Sequence, residues 1–214
     1  YDVDGTTSVA MMYSFLKKYI TDLEYYIPCR YNEGYGISLK GIDYAQKKNI
    51  SLIIALDCGT RAVKQINYAN KIGIDFIICD HHIPSDKIPS AIALLNPKQA
   101  DCYYPYKELS GCGVGFKLLQ AYCLNNKISF DKIKQYLDLL AVSISADLVP
   151  MTGENRVLTF YGLKQINSNP RVGLRALMGD KTKKLMTSDL AFRIAPRINA
   201  AGRIDHAKKA VEIL

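Results

Sequence analysis

Short, continuous apolar runs recur along the first half of the chain and indicate buried strands. Residues 51–56, 76–79 and 91–95 are such runs, which are typical of strands covered on both faces in a parallel sheet. Residues 1–5 are predicted as the end of a further strand, and residues 24–28 as another. The pattern predicts five strands.

Elsewhere the apolar residues recur at helical spacing. Helices are predicted at residues 8–19, 40–48, 61–71, 114–123, 131–145, 155–166, 172–178 and 188–194. The alternation of strands and helices predicts an α/β fold, with a doubly wound, mostly parallel five-stranded sheet flanked by helices and followed by a helical C-terminal part. We expect an α/β catalytic domain over residues 1–150 and a helical extension over residues 151–214 that leads toward a second domain.

Acidic and imidazole side chains follow the predicted strands. They are Asp2, Asp4, Asp57, Asp80, His81 and His82. Ligands bind just beyond the carboxyl ends of parallel strands, so these groups are expected to meet at one sheet edge. Oxygen and imidazole ligands suit Mn²⁺ or Mg²⁺, and paired divalent ions hydrolyse phosphodiesters. The pattern predicts a metal-centred phosphoesterase site, which Asp147 at a helix end could complete.

Each of these features also has a structural explanation. A lone Asp57 is compatible with a helix N-cap, and His81-His82 with an exposed polar loop. The amides of Gly111 and Gly113 at a helix start can bind an anionic substrate, or the glycines can allow close packing.

Three polar residues near the C-terminus form a second candidate substrate site. They are Arg197, Asn199 and Arg203. Arginine binds phosphate bidentately, but a charged helix surface has the same composition.

Charge, cysteine content and hydropathy limit the expected cellular location and the expected binding partners. The net charge of +8 is compatible with a polyanionic partner or with a lysine-rich surface. The six cysteines form no CxxC pair, which argues against a zinc knuckle and favours a reducing, cytoplasmic location. No apolar run reaches the ~18–20 residues that a membrane span needs, so no membrane partner is expected.

Several motifs together carry a family resemblance. Asp80-His81-His82 after an apolar strand, with residues 1–8 and 56–59, resembles the motifs of the DHH phosphoesterase superfamily. Within it, further stretches are similar to the RecJ family of single-strand-specific exonucleases. These stretches are residues 30–36, 95–105, 108–117, 145–156 and 195–203.

The resemblance implies an activity and a set of site residues. The activity is metal-dependent 5′-to-3′ hydrolysis of single-stranded DNA, in DNA repair and recombination, by two-metal activation of water. The implied ligands of two Mn²⁺ or Mg²⁺ ions are Asp2, Asp4, Asp57, His81 and Asp147, with Asp57 shared; Asp80 and His82 complete the catalytic set. The implied DNA contacts are Arg30, Tyr35, Arg197, Asn199 and Arg203.

The resemblance also implies a substrate and protein partners, and other functions remain as alternatives. Single-stranded DNA is the expected substrate, and a single-strand-binding protein and a RecQ-type helicase are candidate protein partners. The family's first motif carries a further His and Asp ahead of the position of Tyr1, and its later domains follow the position of Leu214, so we expect a catalytic-core fragment with weak activity. The alternatives are a phosphodiesterase for short oligoribonucleotides or cyclic dinucleotides, and a non-catalytic replication-associated homologue.

Overall fold

The computed structural model describes residues 1–179, 184–204 and 207–214, with residues 201–204 described in their backbone only. Its strands are β1 (Leu52–Leu56), β2 (Asp75–Cys79) and β3 (Ala93–Leu95). Its helices are α1 (Val3–Leu16), α2 (Leu39–Lys47), α3 (Val63–Lys71), α4 (Gly111–Asn125), α5 (Asp131–Lys134), α6 (Leu137–Ala146), α7 (Gly153–Ser168), α8 (Val172–Met178), α9 (Thr187–Asp189), α10 (Ala195–Ile204) and α11 (Lys208–Ile213), with a π-helical turn at Leu190–Ile194.

The three strands form a parallel sheet in the order β1-β2-β3. Leu56 pairs with Cys79, which in turn pairs with Leu95, so the carboxyl ends of all three strands are level. The residue that follows each strand therefore emerges at the same sheet edge.

Apolar clusters cover both faces of the sheet. On one face Phe76 and Ile78 pack with Ile42 of α2 and Ile66 of α3. On the other face the helices α1, α4 and α6 form the largest cluster, which includes Phe15, Phe116 and Leu140 and contacts the strands. Helices on both faces explain why the strands are apolar throughout. The predicted parallel α/β sheet flanked by helices is confirmed.

The prediction of five strands is wrong in two places. Residues 1–5 do not end a strand, because α1 begins at Val3 and the Asp2 carboxylate caps it by accepting a hydrogen bond from the Gly5 N–H at 2.9 Å. Residues 24–28 belong to no strand of the described chain. Among the described residues, β1 pairs only with β2, so this segment has no strand partner there; Tyr26 and Ile27 instead line a groove together with Ile53 and Ile54 of β1.

The predicted single helix at residues 131–145 is divided into α5 and α6. The Gln135 carbonyl at the break accepts hydrogen bonds from the side chains of Gln165 and Arg171, at 2.6 and 3.2 Å, rather than from the next helical turn. Arg171 also forms a 2.6 Å ion pair with Asp138, which is fully buried. These bonds anchor the start of α6, the helix that ends at the site.

The C-terminal helices pack on α6 and α1. Their apolar side chains, among them Leu174, Leu190 and Ile198, form a cluster with Ala141 and Val142 of α6. The predicted boundary between residues 150 and 151 stays a prediction. Within the described ranges, no helix combines the length and apolar character that crossing a bilayer requires.

Candidate metal centre

The level strand ends deliver two carboxylates to one sheet edge. Asp57 follows β1, and its N–H donates to the Cys79 carbonyl at 2.8 Å; Asp80 follows β2, and its N–H donates to the Leu95 carbonyl at 3.0 Å. These bonds continue the sheet by one residue beyond each strand. Both carboxylates are almost fully buried, so their positions are determined by the sheet.

His81 is the point at which three carboxylates meet. Its Nε2 lies 3.3 Å from Asp57 Oδ1, 3.7 Å from Asp4 Oδ2 and 3.5 Å from Asp147 Oδ2. Asp4 lies in the first turn of α1, and Asp147 directly follows the last residue of α6. Two helices and a strand end thus place acidic oxygens around one imidazole nitrogen.

Ligand atoms suited to a cation form two overlapping groups here. One consists of Asp57, His81 and His82, and the other of Asp4, His81 and Asp147; within each group the ligand atoms lie within 4.8 Å of one another. The combination of carboxylates with imidazole is the donor set that Mn²⁺ accepts.

Asp57 adopts a backbone conformation that is unusual for an aspartate, with φ of +59°. Its Oδ1 is buried and accepts no hydrogen bond from any described residue. Strained backbone and an unpaired buried oxygen both carry a free-energy cost, and such features cluster at functional sites. The unpaired Oδ1 faces His81 Nε2, where a cation would supply the missing partner.

Asp4 is bound by the N-terminus of α4. Its Oδ2 accepts a hydrogen bond from the Gly111 N–H at 2.6 Å, and its Oδ1 accepts one from the Cys112 N–H at 2.8 Å. The predicted role of Gly111 and Gly113 in substrate binding stays a prediction. The Gly111 amide holds Asp4 and the Gly113 amide donates to Ser110 Oγ at 3.1 Å, so the protein's own side chains use both amides.

Gly111 has a packing role as well. A Cβ at this position would collide with the Asp57 carboxylate. Glycine is therefore required for the close approach of α4 to the end of β1, which is the packing alternative that the sequence left open.

Asp80 organises the turn that carries the two histidines. Its Oδ1 accepts hydrogen bonds from the backbone N–H of His81 at 2.8 Å and of His82 at 3.2 Å, and it bonds His82 Nδ1 at 2.7 Å. Its Oδ2 accepts from the Thr60 N–H at 2.9 Å. Asp80 therefore orients the His82 ring directly and acts on His81 through the backbone amide.

The electrostatics of the cluster follow from burial and crowding. Burial raises the pKa of Asp57 well above its ordinary value, and the Asp4 and Asp2 carboxylates add to this. Burial and the same two carboxylates raise the pKa of Asp147 to about 7. Burial lowers the pKa of His81, which favours the neutral imidazole that binds metals. A bound cation would reduce the repulsion between these buried carboxylates.

The Asp80 and His82 pair behaves differently. Burial opposes ionisation of Asp80, but the hydrogen bonds from His82 and Thr60 outweigh it and hold the pKa of Asp80 well below its usual range. The same hydrogen bond raises the pKa of His82. His82 is half-buried, so it can present a positively charged ring at the rim of the cluster.

Asp2 lies beside the cluster but its oxygens have protein partners. Oδ1 accepts from Gly5, and Oδ2 accepts from the Tyr35 hydroxyl at 2.5 Å. The Tyr35 and Tyr1 rings contact each other in a T-shaped arrangement, with 5.2 Å between centroids, and the Arg30 guanidinium lies 4.5 Å from the centroid of the Tyr1 ring. The predicted DNA contacts Arg30 and Tyr35 are thereby connected to the site through Tyr1 and Asp2.

The C-terminal candidates Arg197 and Asn199 have surroundings of their own. Arg197, on α10, donates a hydrogen bond to the Leu177 carbonyl. Asn199 Oδ1 is buried and has no partner in the described chain. No hydrogen bond or ion pair among the described residues joins either side chain to the Asp–His cluster. The side chain of Arg203 lies outside the described residues.

Sequence reasoning missed the residues that support the cluster. The Ser143 hydroxyl donates to Asp4 Oδ1 at 2.6 Å, and Ser110 Oγ lies 2.7 Å from Ser143 Oγ. Asn96, directly after β3, donates to Thr60 Oγ1 at 2.9 Å and to the His82 carbonyl at 2.8 Å. A polar residue after a strand and a serine within the apolar run of α6 are the signals that could have identified Asn96 and Ser143.

Comparison with known proteins places this geometry in a family. Residues 1–144 match the model of the DHH family, N-terminal domain. The single-stranded-DNA-specific exonuclease RecJ of Bacillus subtilis is 39% identical over all of this chain, which covers 27% of that protein. The Escherichia coli protein of the same name is 35% identical over all of this chain, which covers 40% of it. The chain thus spans well under half the length of these curated relatives.

Solved structures agree with the sequence matches. An exonuclease RecJ bound to manganese superimposes with a TM-score of 0.86 at 34% identity, covering 99% of this chain and 54% of that one. RecJ from Thermus thermophilus in complex with Mn²⁺ superimposes with a TM-score of 0.83 at 32% identity, covering all of this chain and 31% of that one. With a family model matching well over half of its residues, this chain belongs to the DHH family.

Proposed function

We propose that this chain is the catalytic core of a metal-dependent phosphoesterase that hydrolyses single-stranded DNA from the 5′ end, in DNA repair and recombination. The observation that supports this most directly is the convergence of Asp4, Asp57 and Asp147 on His81 Nε2. RecJ relatives that bear single-strand-specific exonuclease names, and RecJ structures with manganese, support the substrate and the metal.

The residues present fit a divalent cation. Asp57 Oδ1 is buried and unpaired, and the neighbouring donors are carboxylate oxygens and an imidazole nitrogen. Mn²⁺ accepts both donor types, whereas Mg²⁺ prefers the oxygens. In our proposal Asp4, Asp57, His81 and Asp147 are ligands, and Asp2 joins them when Tyr35 releases its oxygen.

Two divalent cations, when bound, supply charge neutralisation on the phosphate and a water molecule that is nucleophilic near neutral pH. The protein contributes the rest through its own residues. Asp80 bonds His82 Nδ1, which leaves Nε2 of that ring for a phosphate oxygen of the substrate. The raised pKa of His82 favours the charged ring, which attracts phosphate.

Substrate contacts outside the cluster follow from exposure and charge. Tyr35 is 54% exposed and can stack on an unpaired base, while the Arg30 guanidinium beside Tyr1 can bind a phosphate of the strand. Arg197 and Asn199 would contact the strand farther from the reacting phosphate. The single-strand-binding protein and RecQ-type helicase remain candidate partners of the whole protein.

A digestion assay tests the proposal. The chain is incubated with Mn²⁺ and a labelled single strand, a matched blunt duplex or a cyclic dinucleotide. We expect hydrolysis of the single strand, blocked by phosphorothioate linkages at the 5′ end but not at the 3′ end. Preferential hydrolysis of the cyclic dinucleotide would assign the chain to the small-nucleotide branch of the family instead.

Asp57→Asn is the diagnostic variant, with Asp86→Asn as its control. Asparagine tolerates the left-handed backbone at position 57, so the variant changes charge with little change in conformation. Asp86 is exposed, and its side chain takes part in none of the described hydrogen bonds or ion pairs of the cluster. Loss of hydrolysis and Mn²⁺ binding in Asp57→Asn only is the expected result; undiminished hydrolysis in Asp57→Asn contradicts the assignment.

A further inference from the structure

A chain of hydrogen bonds leads from the first turn of α4 to the metal-centre side chain Asp4. Its steps are the Gly113 N–H to Ser110 Oγ at 3.1 Å, Ser110 Oγ to Ser143 Oγ at 2.7 Å, and Ser143 Oγ to Asp4 Oδ1 at 2.6 Å. Both serines are fully buried, so water does not compete for their hydroxyl groups.

The direction of every bond in this chain can be deduced. Both Asp4 oxygens accept N–H groups at the N-terminus of α4. The Ser143 hydroxyl donates its single proton to Asp4 Oδ1 at 2.6 Å. The Ser143 oxygen must then accept from Ser110, whose own oxygen accepts from the Gly113 amide. Aligned hydrogen bonds of this kind polarise and strengthen one another.

The chain acts together with two backbone amides to orient Asp4. Oδ1 accepts from Ser143 and from the Cys112 N–H, while Oδ2 accepts from the Gly111 N–H at 2.6 Å and lies 3.7 Å from His81 Nε2. Rotation of the carboxylate would break the bond from Ser143, so one oxygen is presented to the cluster in a fixed orientation. Ser143 also accepts the Asp147 N–H through its carbonyl at 2.9 Å, so it contacts two of the cluster's acidic residues.

We propose that Ser143 and Ser110 are positioning residues that hold Asp4 so that only Oδ2 faces a bound cation. This inference rests on the proposed metal site and deepens it. Hydrogen-bond partners of metal ligands are typically worth about 10–100-fold in metal affinity, and removing the Ser143 hydroxyl should act on that scale.

The same helix supplies a matched control. Ser145 is also a buried serine on α6, but its Oγ has no hydrogen-bond partner among the described residues. Ser143→Ala and Ser145→Ala therefore delete the same atom from the same helix, and only the first deletion breaks the chain. Affinity for Mn²⁺ is measured from the electron paramagnetic resonance signal of the free ion, with thermal unfolding followed in metal-free buffer.

The expected results are specific. Ser143→Ala weakens Mn²⁺ binding about tenfold or more, and Ser145→Ala changes it less than about twofold. Ser110→Ala also weakens binding, but it has no further effect on affinity in a protein that already carries Ser143→Ala, because its influence passes through Ser143. A loss of the α4 cap would lower the Tm in both backgrounds, so this readout separates positioning from simple destabilisation.

The outcomes also separate this inference from the proposed function. A wild-type chain that binds Mn²⁺ while Ser143→Ala binds equally well overturns the positioning role and leaves the phosphoesterase proposal standing. A wild-type chain that binds no Mn²⁺ overturns both, because Asp4 then presents its oxygen to no cation. Equal weakening by Ser143→Ala and Ser145→Ala likewise overturns the positioning role.

Discussion

Replacing Asp147 with asparagine is expected to stabilise the metal-free protein while weakening its response to metal. The Asp147 and Asp4 ligand oxygens lie within 4.8 Å of one another, with His81 between them. Asparagine keeps the size of the side chain and removes its charge. The described structure shows no hydrogen bond to the Asp147 carboxylate, so little else should be lost.

The magnitude follows from Coulomb's law. Two unit charges 4.8 Å apart repel by about 3 kcal/mol at an effective dielectric constant near 20. The Asp147 side chain is 35% exposed, so solvent screening reduces this to about 1–2 kcal/mol. For a chain of this size, that corresponds to a Tm increase of roughly 2–8 °C.

Metal should reverse the order of stability. A ligand present at 100 times its dissociation constant stabilises the native state by about 2.7 kcal/mol, or roughly 5–10 °C. Asp147→Asn lacks one ligand and is expected to gain much less. The metal-free variant is therefore more stable than wild type, and the order inverts at saturating Mn²⁺.

The predicted inversion of stability is tested by thermal unfolding in chelator and in Mn²⁺. The measurement is made at pH 8, because Asp147, with its pKa of about 7, is mostly ionised there. The exposed Asp86→Asn serves as control and should follow wild type in both conditions. A metal-free Asp147→Asn that melts below wild type, or equal Mn²⁺ shifts in both proteins, would refute the electrostatic reasoning.

Three further substitutions test other parts of the structure. Gly111→Ala should lower the free energy of unfolding by about 1–3 kcal/mol in a urea titration and weaken Mn²⁺ binding, because its Cβ would displace the Asp57 carboxylate. Gly113→Ala is the control: its Cβ would meet its neighbours at 3.4 Å or more, so the same titration should show a much smaller loss. Arg171→Ala should lower the free energy of unfolding by about 3–5 kcal/mol, because it leaves the buried Asp138 charge unpaired. A smaller loss in chemical denaturation would show that water reaches that charge. Asp80→Asn should lower the free energy of unfolding by about 2–3 kcal/mol, because asparagine has a single side-chain oxygen and cannot accept hydrogen bonds at both positions that the Asp80 oxygens occupy. An unchanged unfolding midpoint would contradict this.

The strand ends were the part of the site most accessible from sequence. Apolar runs ending in Asp57 and in Asp80-His81-His82 are local signals, and a parallel sheet brings its carboxyl ends together whatever the loops between them do. The family resemblance pointed to the same residues and to Asp147. The structure brings Asp57, His81 and Asp147 together as expected from these two independent lines.

The helix start at Gly111 and Gly113 is a feature whose contacts could not be predicted from the local sequence. A glycine-rich helix start can bind an anion through free amides or can allow close packing, and the sequence left both interpretations open. It could not indicate which one, because Asp4 stands more than a hundred residues earlier. The missing strands at residues 1–5 and 24–28 have a similar cause, since a strand depends on its neighbour as much as on its own residues.

The sequence by itself determined the fold class, most of the helices, the central strands and the residue types of a metal centre, because these depend on periodicity and on side chains at strand ends. Only the tertiary structure decided that Asp4 occupies the N-terminus of α4, that Ser143 and Ser110 support it, and that the described sheet has three strands. Those features depend on contacts between distant segments, and no local pattern of apolar and polar residues encodes which segments will pack together.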